Sequence, residues 1–109
     1  MRRSALLVCA AAAVVALGLP SAGDASAAKS VTVKNFAFSP STVTARHGTK
    51  ITWKFRDSTA HNVTVKRGPR KFHSRDIRRG NYSKVVTAKG TYKLICTIHP
   101  DMHMTLKVT

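Results

Sequence analysis

The chain is short and strongly basic: its 109 residues include 19 lysines and arginines against 4 acidic residues, for a formal net charge of +15, and none of the acids is glutamate. This length allows one small domain and excludes a second core. The charge is no guide to the fold, but it predicts attraction to acidic proteins or anionic polymers.

Residues 1–27, the first predicted element, have the composition of a secretory signal peptide. The basic start MRR precedes an apolar run that is too short and too rich in alanine for a membrane span, and the sequence ASA at 25–27 supplies a cleavage signal. We expect cleavage before Ala28, by either the general or the twin-arginine export route, and a periplasmic or secreted product. Cleavage leaves 82 residues (109 minus 27) with a net charge of +14 (17 basic minus 3 acidic residues).

After residue 28 the sequence consists of short runs in which apolar and polar residues alternate. Ile51, Trp53 and Phe55 alternate with polar residues, a period of two that predicts a half-buried strand. Turn signals containing glycine separate the runs, and no long stretch has helical periodicity. The pattern predicts an all-β domain over residues 28–109, an antiparallel Greek-key β-sandwich. The residues expected in its core are Val33, Phe36, Phe38, Val43, Ile51, Trp53, Phe55, Val63, Val65, Tyr82, Val86, Tyr92, Leu94, Leu106 and Val108.

The segment from Lys66 to Tyr82 interrupts this alternation. It is dense in basic residues, and Asp76 is the acid that opposes them. We expect a long exposed connection with one edge strand or helical turn. Its charge makes it a candidate docking surface for an acidic partner, although such charge runs are usually solvated faces. The basic residues are Lys66, Arg67, Arg70, Lys71, Arg75, Arg78 and Arg79.

Cys96 is the lone cysteine after removal of residues 1–27, which include Cys9. Small exported domains generally use cysteines in pairs, so Cys96 needs another role: metal ligand, nucleophile, intermolecular disulfide or buried side chain. It begins the sequence CTIHPDM at 96–102. Thiolate, imidazole and thioether are ligands that copper prefers, and two imidazoles and a thiolate with a weak axial thioether are typical of blue electron-transfer sites.

A second imidazole must come from outside this loop. His61 stands just before a predicted strand, where a neighbouring strand end can close a site around Cys96, His99 and Met102. A ligand set split between a compact loop and a distant strand would be held in place by the scaffold. The other histidines are expected to lie outside the site: His47, His73 and His103.

The motif A-H-N-V at 60–63, followed by G-T-Y-x-L-x-C-T-x-H-P-x-M at 90–102, resembles the plastocyanin and amicyanin branch of the cupredoxins. The resemblance extends over nearly all of residues 28–109. It implies a cupredoxin fold that binds one type 1 copper ion. The implied ligands are the imidazoles of His61 and His99, the thiolate of Cys96 and the axial thioether of Met102.

The resemblance also assigns positions around the ligands. Asn62 corresponds to a residue that ties the two ligand-bearing segments together, with Thr97 as its counterpart. Met104 is the alternative axial ligand, because plastocyanins place the methionine two residues further from the cysteine. Met102 is preferred because the residues after it then align with the family's last strand. The exposed edge of His99 is the expected exit for the electron.

The implied function is that of an electron shuttle, not an enzyme. We expect a monomer that docks an acidic redox protein near His99 and the segment from Lys66 to Arg79, and that recognises no specific nucleic acid. One alternative is an extracytoplasmic copper carrier or scavenger with incidental redox cycling. Another is a polyanion-binding protein with a vestigial metal site. Hydrolase chemistry is disfavoured because no acid or amide is obviously placed to orient His61 or His99.

Overall fold

Eight strands make up the fold of residues 27–109, the part of the chain that the computed structural model describes. The predicted signal peptide, apart from Ala27, lies outside the described residues, and so does Cys9. Within residues 27–109 no helix is long and apolar enough to cross a membrane. The strands are β1 (Ala28–Lys34), β2 (Ala37–Ser39), β3 (Thr42–Ala45), β4 (Thr49–His61), β5 (Thr64–Arg67), β6 (Ile77–Val86), β7 (Gly90–Ile95) and β8 (His103–Val108).

The strands form two sheets, with orders β2-β1-β4-β6 and β3-β8-β7-β5. The expected all-β sandwich is confirmed, but its sheets are mixed, whereas purely antiparallel pairing was expected. The parallel pairs are β1 with β4 and β3 with β8. They arise because β2 folds back along the outer edge of β1, and the chain then crosses to the other sheet in β3 before returning in β4.

The core lies between the sheets and follows the predicted alternation. Ile51, Trp53 and Phe55 of β4 are fully buried, as is Leu94 of β7 in the facing sheet. Complete burial of side chains of this size stabilises the fold by roughly 2 kcal/mol each. The Trp53 indole Nε1 donates a hydrogen bond to Met104 Sδ at 3.3 Å, which satisfies the polar atom of the largest core side chain.

Phe36 is the core prediction that the structure overturns, because its side chain is 53% exposed. Asn35 and Phe36 have φ values of 53° and 60°, so a turn separates β1 from β2 and breaks the alternation set by Val33. Tyr82, also expected in the core, is partly buried on the edge strand β6. Buried apolar residues outside the expected set are Val31, Ala45, Ile77, Cys96, Met102 and Met104.

The basic segment, residues 66–82, contains more strand structure than the long connection that was expected. β5 continues to Arg67, Thr64 forms an isolated bridge with His73, and β6 begins at Ile77 opposite His61. β6 pairs with β4 through its backbone, so its side chains need not be apolar. The segment runs along the length of the sandwich: Arg70 lines a depression with Thr87 at the end away from His61, and the stretch after Ser74 returns to the His61 end.

Candidate metal centre

Three donor side chains meet at one end of the sandwich, between the two sheets. His61 is the last residue of β4, Cys96 directly follows β7, and His99 lies in the loop before β8. Their ligand atoms all lie within 4.8 Å of one another. β4 and β7 belong to different sheets, so packing of the sandwich itself brings His61 to the loop.

Three backbone hydrogen bonds close the loop from Cys96 to Met102. The Cys96 N–H donates to Met102 O at 3.0 Å, the His99 N–H to Cys96 O at 3.2 Å, and the Met102 N–H to His99 O at 2.8 Å. The spacing in CTIHPDM therefore forms a compact turn that directs its side chains to one side.

The two imidazoles present the same nitrogen to the centre. His61 Nδ1 lies 3.1 Å from His99 Nδ1, and Cys96 Sγ lies 3.6 Å from His99 Nδ1. His61 and Cys96 are fully buried, whereas His99 is partly exposed. The backbone N–H of Asn62 points at Cys96 Sγ from 3.5 Å. This contact helps to hold the sulfur in place at the centre.

Asn62 joins the His61 segment to the Cys96 loop. Its Nδ2 donates to Thr97 Oγ1 at 2.7 Å, and its Oδ1 accepts from the Thr97 N–H at 3.1 Å. Nδ2 also donates to Asp76 Oδ1 at 2.9 Å, and Oδ1 accepts from Thr64 Oγ1 at 2.9 Å. Such outer hydrogen bonds fix the orientation of metal ligands.

Asp57 is the residue that sequence reasoning missed. Its Oδ2 lies 2.8 Å from His61 Nε2, so the expectation that no acid orients either histidine was wrong. The hydrogen bond with His61 lowers the pKa of Asp57 from 3.8 to about 2, with burial opposing and the backbone N–H groups of Ser58, Thr59 and Asn35 assisting. A carboxylate on Nε2 keeps the proton there and leaves Nδ1 free to bind a metal. The available signal was the scarcity of acids, since residues 28–109 contain three.

Phe36 covers the centre from outside. Its ring meets both imidazoles edge-on, with centroids 5.3 Å from His61 and 4.6 Å from His99. Together with Ile98 and Pro100 it surrounds the exposed edge of His99 and lines a depression of about 420 Å³. The surface at this end is therefore mainly apolar.

The two candidate axial methionines occupy different surroundings. Met104 is fully engaged in the core, where its sulfur accepts the Trp53 hydrogen bond. Met102 is buried at the end of the same loop that holds Cys96 and His99. The other histidines lie away from the centre and are exposed: His47, His73 and His103.

The donor chemistry matches one metal better than the alternatives. Hard cations such as Ca²⁺ and Mg²⁺ need a cage of oxygens, and the nearest carboxylate, Asp57, is engaged by His61. Two imidazoles, a buried thiolate and a thioether on the same loop fit a single type 1 copper ion.

Similar solved structures share this architecture. A copper(I) form of an amicyanin point mutant at pH 4 is 26% identical, with a TM-score of 0.69 over 75% of this chain and 82% of its own. Another copper(I) amicyanin mutant gives the same values. A reduced amicyanin mutant is 24% identical, covers 79% of this chain and 84% of its own with a TM-score of 0.67, and so supports the fold alone.

Two comparisons at the level of sequence complete the assignment. Comparison with curated protein sequences gave no match. The profile of the cupredoxin-like domain matches residues 7–108, nearly the whole chain. The chain therefore belongs to the cupredoxin-like family, as a cupredoxin of the amicyanin and plastocyanin type.

Proposed function

We propose that this protein is exported, is cleaved before Ala28, and carries single electrons with one copper ion held by His61, Cys96, His99 and Met102. The main support is the convergence of two imidazole Nδ1 atoms and one thiol within 4.8 Å, at the end of a cupredoxin-like sandwich. Intact mass and N-terminal sequencing of the mature protein test the cleavage site. A mature chain that retains residues 1–27 would contradict that part of the proposal.

When bound, copper supplies a one-electron couple between Cu(I) and Cu(II). The chain's contribution is to keep its ligands in place whatever the oxidation state. Asp57 holds His61, the Asn62 amide faces Cys96, and the side chain of Asn62 ties the two segments together. Full burial of His61 and Cys96 keeps water and substrates away from them, which favours a carrier over an enzyme.

His99 is the ligand through which we expect electrons to enter and leave. It is partly exposed, and Phe36, Ile98 and Pro100 surround it with apolar surface. Such a surface suits brief contact with a partner protein, because apolar groups lose their water without needing new hydrogen bonds. We propose a monomer that docks an acidic redox protein here.

The basic segment contributes to this docking only in part. Ile77 lies opposite His61, so Arg75, Arg78 and Arg79 lie towards the copper end, whereas Arg70 lines a depression at the other end. We therefore expect neutralisation of Arg75 and Arg78 to slow association with an acidic partner. Neutralisation of Arg70 and Lys71 is the matched control. Equal effects of the two pairs would mean that overall charge, not position, steers the encounter.

The decisive measurement is the visible spectrum after addition of Cu(II). We expect intense absorption from thiolate-to-copper charge transfer in the parent protein, and its loss in Cys96→Ser and His99→Gln. His103→Gln, which alters an exposed histidine outside the site, should leave the band unchanged. A colourless Cu(II) complex would refute the proposal.

Redox cycling separates a shuttle from a copper carrier that uses the same ligands. A shuttle is expected to be reduced and reoxidised repeatedly without loss of metal. Ready transfer of Cu(I) to an acceptor protein, faster than reoxidation, would favour the carrier. The buried ligands and their fixed hydrogen bonds support the shuttle.

The axial ligand can be tested with two matched substitutions. Met102→Leu should raise the reduction potential and alter the visible spectrum, because the axial ligand tunes the potential of such sites. Met104→Leu should leave both nearly unchanged but lower the free energy of unfolding by about 1 kcal/mol, since the Trp53 N–H loses its acceptor. The reverse pattern would make Met104 the axial ligand.

A further inference from the structure

The outer face of the β2-β1-β4-β6 sheet carries several positive charges. Ile51, Trp53 and Phe55 point into the core, so the alternate residues of β4 point outward, and the register places their neighbours on β1 and β6 on the same face. The three acids of residues 28–109 are absent from this face. We define the basic sheet face as its five exposed cations: Lys34, Lys50, Lys54, Arg56 and Arg79.

These charges are not neutralised within the described part of the chain. Among residues 27–109 no lysine or arginine forms a salt bridge, and the acid nearest a basic side chain is Asp57, which forms a hydrogen bond with His61. Arg56 uses one terminal nitrogen, Nη1, to reach Phe55 O at 2.9 Å, Gly80 O at 3.3 Å and Asn81 Oδ1 at 3.4 Å. The other N–H groups of its guanidinium are left for an external acceptor. The face is therefore open to anions from outside the chain.

The donors on this face are regularly spaced. Alternate residues of a strand recur about every 7 Å, so Lys50, Thr52, Lys54 and Arg56 form a straight row about 20 Å long. Ser83 flanks the row on β6, with its Oγ 2.8 Å from Thr52 Oγ1. Lysine and arginine combined with hydroxyl donors are the groups that bind phosphate oxygens.

The face lacks what a protein interface requires. Its one exposed large apolar side chain is Val85, opposite Lys50 near the end of β6, and none of the residues that point outward from it is aromatic. Protein interfaces are centred on aromatic and apolar anchors, and single-stranded nucleic acids are usually held by stacking of their bases on aromatic rings. The kind of binding that this face does suit is contact with the charged backbone of a polymer.

We propose that the basic sheet face binds an extended phosphodiester polymer through its phosphates, irrespective of the groups that the phosphates link. This role is separate from electron transfer, since the exposed apolar surface around His99 lies at one end of the sandwich and the basic sheet face on its side. The protein can therefore hold the polymer and present His99 to a redox partner at the same time.

A pair of matched triple variants tests the proposal. One removes three charges from the basic sheet face (Lys50→Gln, Lys54→Gln, Arg56→Gln), and the control removes three from the outer face of the other sheet (Lys66→Gln, Lys93→Gln, Lys107→Gln). The probe is a labelled single-stranded oligothymidylate, titrated at several salt concentrations. Each lost phosphate contact should lower the slope of log affinity against log salt by about 0.7, so the face variant should lose about 2 in slope and about 100-fold in affinity at 0.1 M salt. The control should stay close to the parent.

Several outcomes would overturn the proposal. Equal losses in the two variants would mean that net charge alone drives binding. Tighter binding of polyglutamate than of oligothymidylate would mean that the face takes an acidic polypeptide instead. Copper-loaded and metal-free protein should bind the probe alike, so a missing blue band would leave this test unaffected. Thermal unfolding of each variant checks that the domain remains folded.

Discussion

Asp57 positions two parts of the metal centre, the imidazole of His61 and the turn at Asn35. Its Oδ2 faces His61 Nε2 at 2.8 Å and accepts the Asn35 N–H at 3.0 Å, and its Oδ1 accepts the Ser58 N–H at 2.8 Å. One carboxylate thus fixes a ligand imidazole and the turn that places Phe36 against both histidines.

Asp57→Asn is expected to raise the reduction potential of the copper site. A carboxylate on Nε2 makes the imidazole a stronger donor, which stabilises Cu(II) more than Cu(I). A tenfold loss of Cu(II) affinity relative to Cu(I) would correspond to about 59 mV for a one-electron couple. Voltammetry of the two proteins measures the shift.

Asp101→Asn is the matched control for this measurement. Asp101 is an exposed acid in the loop from Cys96 to Met102. Its substitution removes one negative charge near the site, as Asp57→Asn does, but leaves the hydrogen bond of His61 intact. Equal shifts in the two variants would mean that Asp57 acts as a distant charge and not through its hydrogen bond.

Tyr92 links strand β7 to the turn before it. Its hydroxyl donates to Ala88 O at 2.7 Å while its ring is buried in the core. Burial raises the pKa of Tyr92 above its ordinary value of 10.0, and it also raises the pKa of Tyr82. A group whose pKa is raised on folding supports the fold fully below its unfolded pKa, and that support is lost as the pH rises through its folded pKa.

The free energy of unfolding of the metal-free protein should therefore fall above pH 10, where the unfolded chain loses tyrosine protons first. Tyr92→Phe should reduce this alkaline loss, at a cost of about 1 kcal/mol near neutral pH for the missing hydrogen bond. Denaturant titrations near neutral pH and above pH 10 measure both effects.

Tyr82→Phe is the comparison, because Tyr82 is partly buried on the edge strand. It should weaken the alkaline loss with little change near neutral pH. An alkaline loss that survives in both variants would assign it to other groups.

The strands were predictable where alternation decides burial, as in Ile51, Trp53 and Phe55. Alternation failed at Phe36, because it does not reveal that two consecutive residues adopt positive φ. It also failed at β6, whose side chains from Arg78 to Val85 are largely exposed while its backbone completes a sheet. Strand pairing depends on partners distant in the chain, so mixed sheets are not visible in a local pattern.

The meeting of His61, Cys96 and His99 at one end of the sandwich was predictable from the sequence. A loop of seven residues fixes the spacing of Cys96, His99 and Met102, and the motif around His61 supplied the other segment. The role of Asp57 was hidden because β4 is irregular between Arg56 and His61, which turns the carboxylate towards the imidazole. Strand periodicity alone does not predict that contact.

At the scale of the whole molecule, the excess of positive charge lowers the stability of the folded state. Residues 28–109 hold 17 basic residues against 3 acids, and none of the basic residues forms a salt bridge. Their mutual repulsion destabilises the compact state, and salt screens it. The Debye length falls from about 30 Å at 0.01 M to about 8 Å at 0.15 M ionic strength.

We therefore expect the unfolding temperature to rise with salt, mostly below 0.15 M, where most of this screening develops. The variant that removes three charges from the basic sheet face should be more stable than the parent at low salt and should respond less to added salt. Calorimetry at several ionic strengths measures both. An unfolding temperature that falls with salt would contradict the expected repulsion.

The three carboxylates of residues 28–109 gather at the copper end: Asp57 on His61, Asp76 on Asn62, and Asp101 in the ligand loop. None of the three acids lies on the basic sheet face, so the acidic side chains are unevenly distributed over the molecule. Adsorbed on a negatively charged matrix, the protein would contact it through the basic sheet face, which leaves His99 at the end of the sandwich and away from the support. Adsorbed protein would then keep His99 accessible to diffusing redox partners, so immobilisation need not slow electron exchange.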